Sequence, residues 1–241
     1  MNNRIFSYDL QVYNKKSAEV VIPLLRSFQS FNSVLDVGCG IGTWLAIAKS
    51  NGIPIIRGID GDYDDKSLLF SNISKKEFIA TDLNKGFNLD QHFDIAICLE
   101  VVEHLVSDSA PIVVQSLVRH SDVILFSAAI PGQGGQNHIN EQWPNYWAKL
   151  FEEHDFVFLD IIRPLIWNNP NVDFWYKQNI FLVVKNTHEL ALKYSSSHLP
   201  LVHPELFERI NQNKDNQIDL LKKQLAINPL KRWIASILKK K

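Results

Sequence analysis

Apolar residues along the chain fall into short runs of two alternating kinds. "SVLDVG", "PIIRGID", "EFIATDL", "FDIAICLE" and "DVILFSAAI" are compact and apolar, whereas "TWLAIAKS" and "PIVVQSLVRH" between them space apolar residues three and four apart. Strands that alternate with helices are what a parallel sheet with crossover helices requires, so the pattern predicts an α/β, doubly wound, mostly parallel sheet. Past residue 155, "VFLDIIR" and "IFLVVK" are strand-like with no helix between them and are expected to pair antiparallel at a sheet edge, for seven strands in all. The intervening "PLIWNNPNVDFWYKQN" is polar, aromatic and interrupted by prolines, and reads as a long loop. In "NEQWPNYWAKLFEEH", Trp143, Tyr146, Trp147, Leu150 and Phe151 recur at helical spacing with Pro144 suited to a first turn, which predicts a helix whose stripe is mostly core. The expected organisation is a helical cap over 1–32, a core over 33–185, and a linker ("KYSSSHLP") with a helical tail over 186–241.

Composition narrows the function classes. At 241 residues and 46% hydrophobic content the chain can bury one sizeable core. A net charge of -1 offers no general field for nucleic acid, so none is expected as a partner. The opening "MNNRIFSYDLQVYNKK" lacks the apolar core of a secretion signal, and no run reaches the length of a membrane span, so a cytoplasmic location is the expectation. Cys39 and Cys98 sit in strand-like sequence without metal-ligand spacing and read as small, reduced core residues. The final "NPLKRWIASILKKK" sets Leu230, Trp233, Ile234, Ile237 and Leu238 at helical spacing and carries five positive charges, which leaves -6 for the rest of the chain. A basic amphipathic helix over 226–241 suits weak contact with an anionic membrane surface, but packing on its own domain or on a second copy in a homo-oligomer is the plainer reading.

The densest chemical signal is "VLDVGCGIGTWL", where a strand passes into Gly38, Gly40 and Gly42 before a helix near Thr43. Glycines there permit a tight turn and close backbone approach to a ligand at the strand's carboxyl end. The dinucleotide fingerprint G-x-G-x-x-G fails, because Thr43 stands where its third glycine would be. The D-x-G-x-G-x-G pattern instead resembles motif I of the class I S-adenosylmethionine (SAM) dependent methyltransferases, over roughly 33–185. That resemblance implies a Rossmann-like methyltransferase fold with SAM as cofactor. It implies that Asp60 grips the ribose hydroxyls, that Asp82 meets the adenine amino group with Leu83 beside it, and that Asp36 lies near the methionine end. Cys39, Trp44, Gly61, Leu99 and Glu100 complete the implied cofactor set, although Gly58 and Gly61 also read simply as turn residues, and each aspartate alone would as readily be a cap.

At the end of the fourth strand "ICLEVVEHL" runs an apolar strand into two carboxylates and a histidine, groups that belong in a cleft rather than a core. If a helix begins near Val101, Glu100, Glu103 and His104 share one face, and His138 from "PGQGGQNHINEQW" opens onto the same cleft. The Glu-x-x-Glu-His run with a later histidine resembles the metal site of the ubiquinone-pathway O-methyltransferases and the small-RNA 2'-O-methyltransferases. This implies Glu100, Glu103, His104 and His138 as ligands for Mg or another divalent metal. The competing reading is metal-free, with Glu103, His104 or His138 in acid–base roles. Gln142, Trp143, Arg163, Trp167, Trp175, Tyr176, Gln178 and Asn179 are the candidate acceptor contacts, aromatic faces and amides suiting a sugar and the arginine a phosphate or carboxylate.

The expected activity is methyl transfer from SAM to a hydroxyl of a small or saccharide-like, or phosphorylated, acceptor, of the kind found in bacterial surface polysaccharide or secondary metabolism. Alternatives are a metal-independent N-methyltransferase, a non-catalytic SAM-binding module, and an NAD-dependent sugar oxidoreductase. The last is weakened because "YWAK" is one residue short of a Tyr-x-x-x-Lys pair.

Overall fold

The computed structural model describes residues 14–62 and 65–227. The basic tail over 228–241 and the first residues of the expected cap lie outside the described residues. The chain divides into two compact units, one reaching Leu201 and the other starting at Val202. Among the described residues, the second contains one helix, Pro204–Ile227.

The first unit is built on a seven-stranded sheet: β1 Ser33–Val37, β2 Ile55–Asp60, β3 Phe78–Ala80, β4 Ile95–Leu99, β5 Val123–Ser127, β6 Phe156–Leu159 and β7 Phe181–Lys185. The order is β3-β2-β1-β4-β5-β7-β6. The first five strands are parallel, and β7 runs antiparallel to both β5 and β6, the pairing expected for the last two strands, although short helices rather than a loop connect them. β1, β4 and β5 are buried at every position, which explains why they read as continuous apolar runs.

Successive side chains point to opposite faces, so Val34 packs on one layer and Leu35 on the other. The first layer includes α1 Lys16–Phe28, α2 Thr43–Ser50 and α3 Ser67–Asn72, and the second includes α4 Ala110–His120 and α5 Pro144–Glu152. In α5, Trp147 and Phe151 are buried while Tyr146 and Leu150 pack at the margin, so most of that aromatic stripe is core. The segment expected as a long loop instead forms two short helices, α6 Arg163–Ile166 and α7 Phe174–Asn179. Its prolines do not prevent this, because Pro164 lies in the first turn of α6, where no backbone donor is needed, and Pro170 falls between the helices.

The chain runs outward from β1 through β2 to β3 on one side and from β4 to β5 on the other. The carboxyl ends of β1 and β4 therefore flank a topological switch point, where open α/β sheets place their ligands.

Candidate active site

β1 hands directly into the glycine turn. Gly38, Gly40 and Gly42 take φ of 76°, 53° and 74°, a left-handed backbone that side chains other than glycine's resist. A Cβ on Gly38 would also collide with the side chain of Val101, so this glycine lets the turn lie against the segment after β4. The amides of Gly38 and Cys39 both donate to the carbonyl of Ile59, at 2.8 and 3.1 Å. Asp60 holds the turn from β2: one carboxylate oxygen accepts from the Gly40 amide and the other from the Gly61 amide, each at 2.7 Å. Gly40 and Asp60, with Ile41, Asp65, Lys66, Leu69 and Phe78, line a shallow cleft beside the turn.

Asp36 is buried beneath the turn, and its Oδ2 has no hydrogen-bond partner. Burial, with the nearby Asp60 carboxylate, pushes its pKa up to about 8. A buried acceptor left unpaired is costly unless a ligand satisfies it, and a SAM ammonium group is a donor of the right kind. The glycine turn and this orphaned oxygen therefore fit SAM. Trp44, in the first turn of α2, meets Tyr176 edge-on at 5.3 Å. Asp82 is exposed and caps the short turn that follows it. Its Oδ1 accepts from the Asn84 amide at 3.2 Å, and Lys85 lies 3.2 Å from Oδ2, which holds its carboxyl below the usual range. Leu83 beside it is buried, as are Leu99 and the free thiols of Cys39 and Cys98.

After β4 the structure departs from the helix expected at Val101. Glu100 takes a left-handed φ of 53° while its amide donates to the carbonyl and hydroxyl of Ser127, both at 3.1 Å, and only a 3-10 turn, Val102–His104, follows. Glu100 is thereby left outside the group of side chains whose ligand atoms converge. Its carboxylate accepts from Gln133 Nε2 at 2.8 Å and from Asn179 Nδ2 at 3.0 Å. Gln178 Nε2 and Asn179 Nδ2 donate in turn to Gln133 Oε1 at 3.0 and 2.8 Å. Gln178 and Asn179, expected as acceptor contacts, are thus buried members of an amide network around Glu100. Burial raises the Glu100 pKa even though Asn179, Gln133 and Ser127 bond to it.

Glu103, His104 and His138 do converge, with one ligand atom from each lying within 4.8 Å of the others. The loop holding His138 docks on the 3-10 turn, because the Ile139 and Asn140 amides both donate to the Glu103 carbonyl, at 2.9 and 3.0 Å. The two imidazoles meet edge-on, 4.8 Å apart. Glu103 is 0% exposed and neither of its carboxylate oxygens has a partner: the backbone of Glu103 and Ala129 lies nearby without reaching good hydrogen-bond geometry. Burial first, and the Glu100 charge second, push its pKa well above the carboxylate range. Burial and the neighbouring His138 lower His104 to about 4. A buried, unpaired carboxylate facing two imidazoles suits a divalent cation, since such a cation binds carboxylate and neutral imidazole together.

The other candidate acceptor contacts divide. Arg163 is 1% exposed and does not reach an acceptor. It forks onto Asp160 at 2.8 and 2.6 Å, donates to the carbonyls of Gln178 and Leu199, and stacks on Phe181. Trp167 follows α6 and is half-buried, and Trp175 packs edge-on against Tyr176. Gln142 is half-buried and donates to Asn140 Oδ1 at 3.1 Å, while Trp143, next in the chain, is 42% exposed. Two participants escaped the sequence reading. Gln133 was hidden among loop glycines, and Glu141 approaches His138 Nδ1 at 2.9 Å from three residues on. A His-x-x-Glu spacing in a loop with a candidate ligand was the available signal.

The family model described as a methyltransferase domain matches residues 10–159. None of the curated proteins matches the sequence. Among solved structures, the methyltransferase domain of bacterial CtHen1-C is 18% identical with a TM-score of 0.55, covering 71% of this chain and 98% of that one. Magnesium protoporphyrin IX methyltransferase from Synechocystis PCC 6803, with bound SAH, is 16% identical with a TM-score of 0.52, covering 75% and 90%. Streptomyces venezuelae DesVI is 20% identical with a TM-score of 0.45, and the chain spans only 62% of its length. With the glycine turn, the strand order and the family match in agreement, the chain belongs to the class I SAM-dependent methyltransferases.

Proposed function

We propose that the protein transfers a methyl group from SAM to a hydroxyl oxygen of a small, uncharged, saccharide-like acceptor, with a divalent cation at Glu103, His104 and His138. The observation that carries the reading is the buried Glu103 carboxylate, unpaired on both oxygens and set against two imidazoles. Bound SAM supplies the electrophilic methyl, and a bound cation would make the acceptor hydroxyl more acidic and hold its oxygen in line. Asp36 Oδ2, buried without a partner, would accept from the cofactor's ammonium group, and the glycine turn would let the cofactor approach the backbone. Asp60 is the candidate ribose contact once its bonds to the turn amides rearrange.

His104 is neutral at physiological pH because its pKa is near 4. That makes it a poor proton acceptor in water-accessible chemistry but a ready cation ligand, so the pKa favours the metal reading over a general base. An uncharged acceptor is supported by the commitment of Arg163 to Asp160, which removes the arginine that suited a phosphate. The exposed Trp143 beside Gln142, a few residues beyond His138, supports a sugar-like ring stacked at the rim. The net charge of -1 favours a small molecule over nucleic acid. Among the described residues no helix is long and apolar enough to cross a membrane.

The test is methyl transfer from labelled SAM to a panel of sugar hydroxyls and amines, with and without thorough chelation. Oxygen-methylated product that disappears on chelation and returns with Mn or Mg is the expected result. Product on nitrogen, or turnover indifferent to chelation, would refute it.

A further inference from the structure

His138 is held on two sides by residues that no sequence motif singled out. Its Nδ1 lies 2.9 Å from Glu141 Oε1, and that carboxylate is already an acceptor on both oxygens: Oε1 from the Gly134 amide at 2.7 Å and Oε2 from the Gly132 amide at 2.8 Å. An acceptor so engaged requires a donor from His138, which puts the imidazole proton on Nδ1. On the other side, a Cβ on Gly135 would strike His138 Nε2, with Cε1 and Cδ2 at 2.5 and 2.7 Å. Gly135 has no left-handed φ, so its lack of a side chain provides room for the ring rather than backbone freedom. The Glu141 and His138 side chains are 18% and 11% exposed, so water competes little for the contact.

We propose that Glu141 and Gly135 are positioning residues that commit His138 to the tautomer with its proton on Nδ1, leaving the Nε2 lone pair for Glu103, His104 and the cation between them. The inference rests on the site reading above for its consequence, but the tautomer can be tested without it. Glu141 also ties both ends of the loop 132–141 together through its two glycine amides, so one carboxylate sets the ring's proton and the loop that carries it. A carboxylate behind a ligating histidine is how metal sites fix ring orientation and raise ligand basicity, typically for about 10–100-fold in affinity.

The experiment uses the full chain, ¹⁵N-labelled at histidine, stripped of metal and held at about pH 8 so that ordinary imidazoles are neutral. Long-range ¹H–¹⁵N spectra, with His138 assigned through His138→Gln, report which ring nitrogen is protonated. The wild type is expected to show protonated Nδ1, Glu141→Ala to gain protonated Nε2, and Glu141→Gln, whose amide oxygen still accepts, to retain protonated Nδ1. Retention in Glu141→Gln together with exchange in Glu141→Ala ties the tautomer to an acceptor at position 141. Protonated Nε2 in the wild type, or no change in Glu141→Ala, would overturn the proposal. Co²⁺ titration then reads the consequence, with about 10–100-fold weaker binding in Glu141→Ala and in Gly135→Ala. A wild type with protonated Nδ1 that binds no Co²⁺ would support the tautomer assignment while refuting the cation reading.

Discussion

Replacing Glu103 by glutamine should make the metal-free protein more stable at neutral pH. The carboxylate is fully buried and unpaired, and burial with the Glu100 charge raises its pKa in the folded state. A group whose folded pKa is raised binds more protons folded than unfolded, so stability is highest below the ordinary carboxyl value and falls as the pH rises above it. At pH 7 the largest such penalty is set by the gap to the ordinary value of about 4.3, or ~3.7 kcal/mol at about 1.36 kcal/mol per unit. Glutamine has the same shape and no charge, so the gain should be about 1–4 kcal/mol at pH 7 and vanish below about pH 4. For a chain of this size that is a rise in Tm of roughly 2–16 °C. Thermal unfolding by circular dichroism at both pH values, after chelation, measures it. Saturating Mn²⁺ should then reverse the ranking, adding about 4.1 kcal/mol at about 1,000 times Kd to the wild type alone. An unchanged or lowered Tm for Glu103→Gln at pH 7, or a gain of equal size at pH 4, would show that the carboxylate is satisfied without a cation.

Because the Asp36 pKa in the free protein is about 8, taking up the SAM ammonium requires the carboxyl to lose its proton. SAM affinity should therefore rise with pH up to about 8, by at most tenfold per unit, and calorimetry in buffers of different ionisation heat should show proton release that Asp36→Asn abolishes. Glu100→Gln should leave saturable Mn²⁺ binding within a few-fold of wild type while Glu103→Gln loses it, since Glu100 is committed to Gln133 and Asn179. Equal loss in both would return Glu100 to the ligand set. Arg163→Met should cost about 3–5 kcal/mol in chemical denaturation by stranding Asp160, with SAM affinity unchanged in the folded fraction. A stable variant with weakened acceptor binding would contradict the structural role.

Much of this arrangement was legible in the chain because it depends on local chemistry. Buried strands advertise themselves as apolar runs, and the glycines at 38, 40 and 42 mark a turn that few other residues could make. The convergence of Glu103 with His138 followed from strands four and five being neighbours. What failed depends on distant partners. The left-handed backbone at Glu100, fixed by Ser127, removed the helix that would have aligned Glu100 with His104. Arg163 looked like a ligand contact only because nothing in the sequence shows that its fork would close on Asp160 and on the carbonyl of Leu199. Glu141 escaped notice because its role exists only once the glycine loop has folded around it.

The most direct measurement is an anomalous-scattering map of crystals grown with S-adenosylhomocysteine and Mn²⁺. A single manganese peak in contact with Glu103, His104 and His138, with the nucleoside against the Gly38–Gly42 turn, is the predicted result. A bound nucleoside with no metal among those three side chains, or with manganese elsewhere in the cleft, would contradict it.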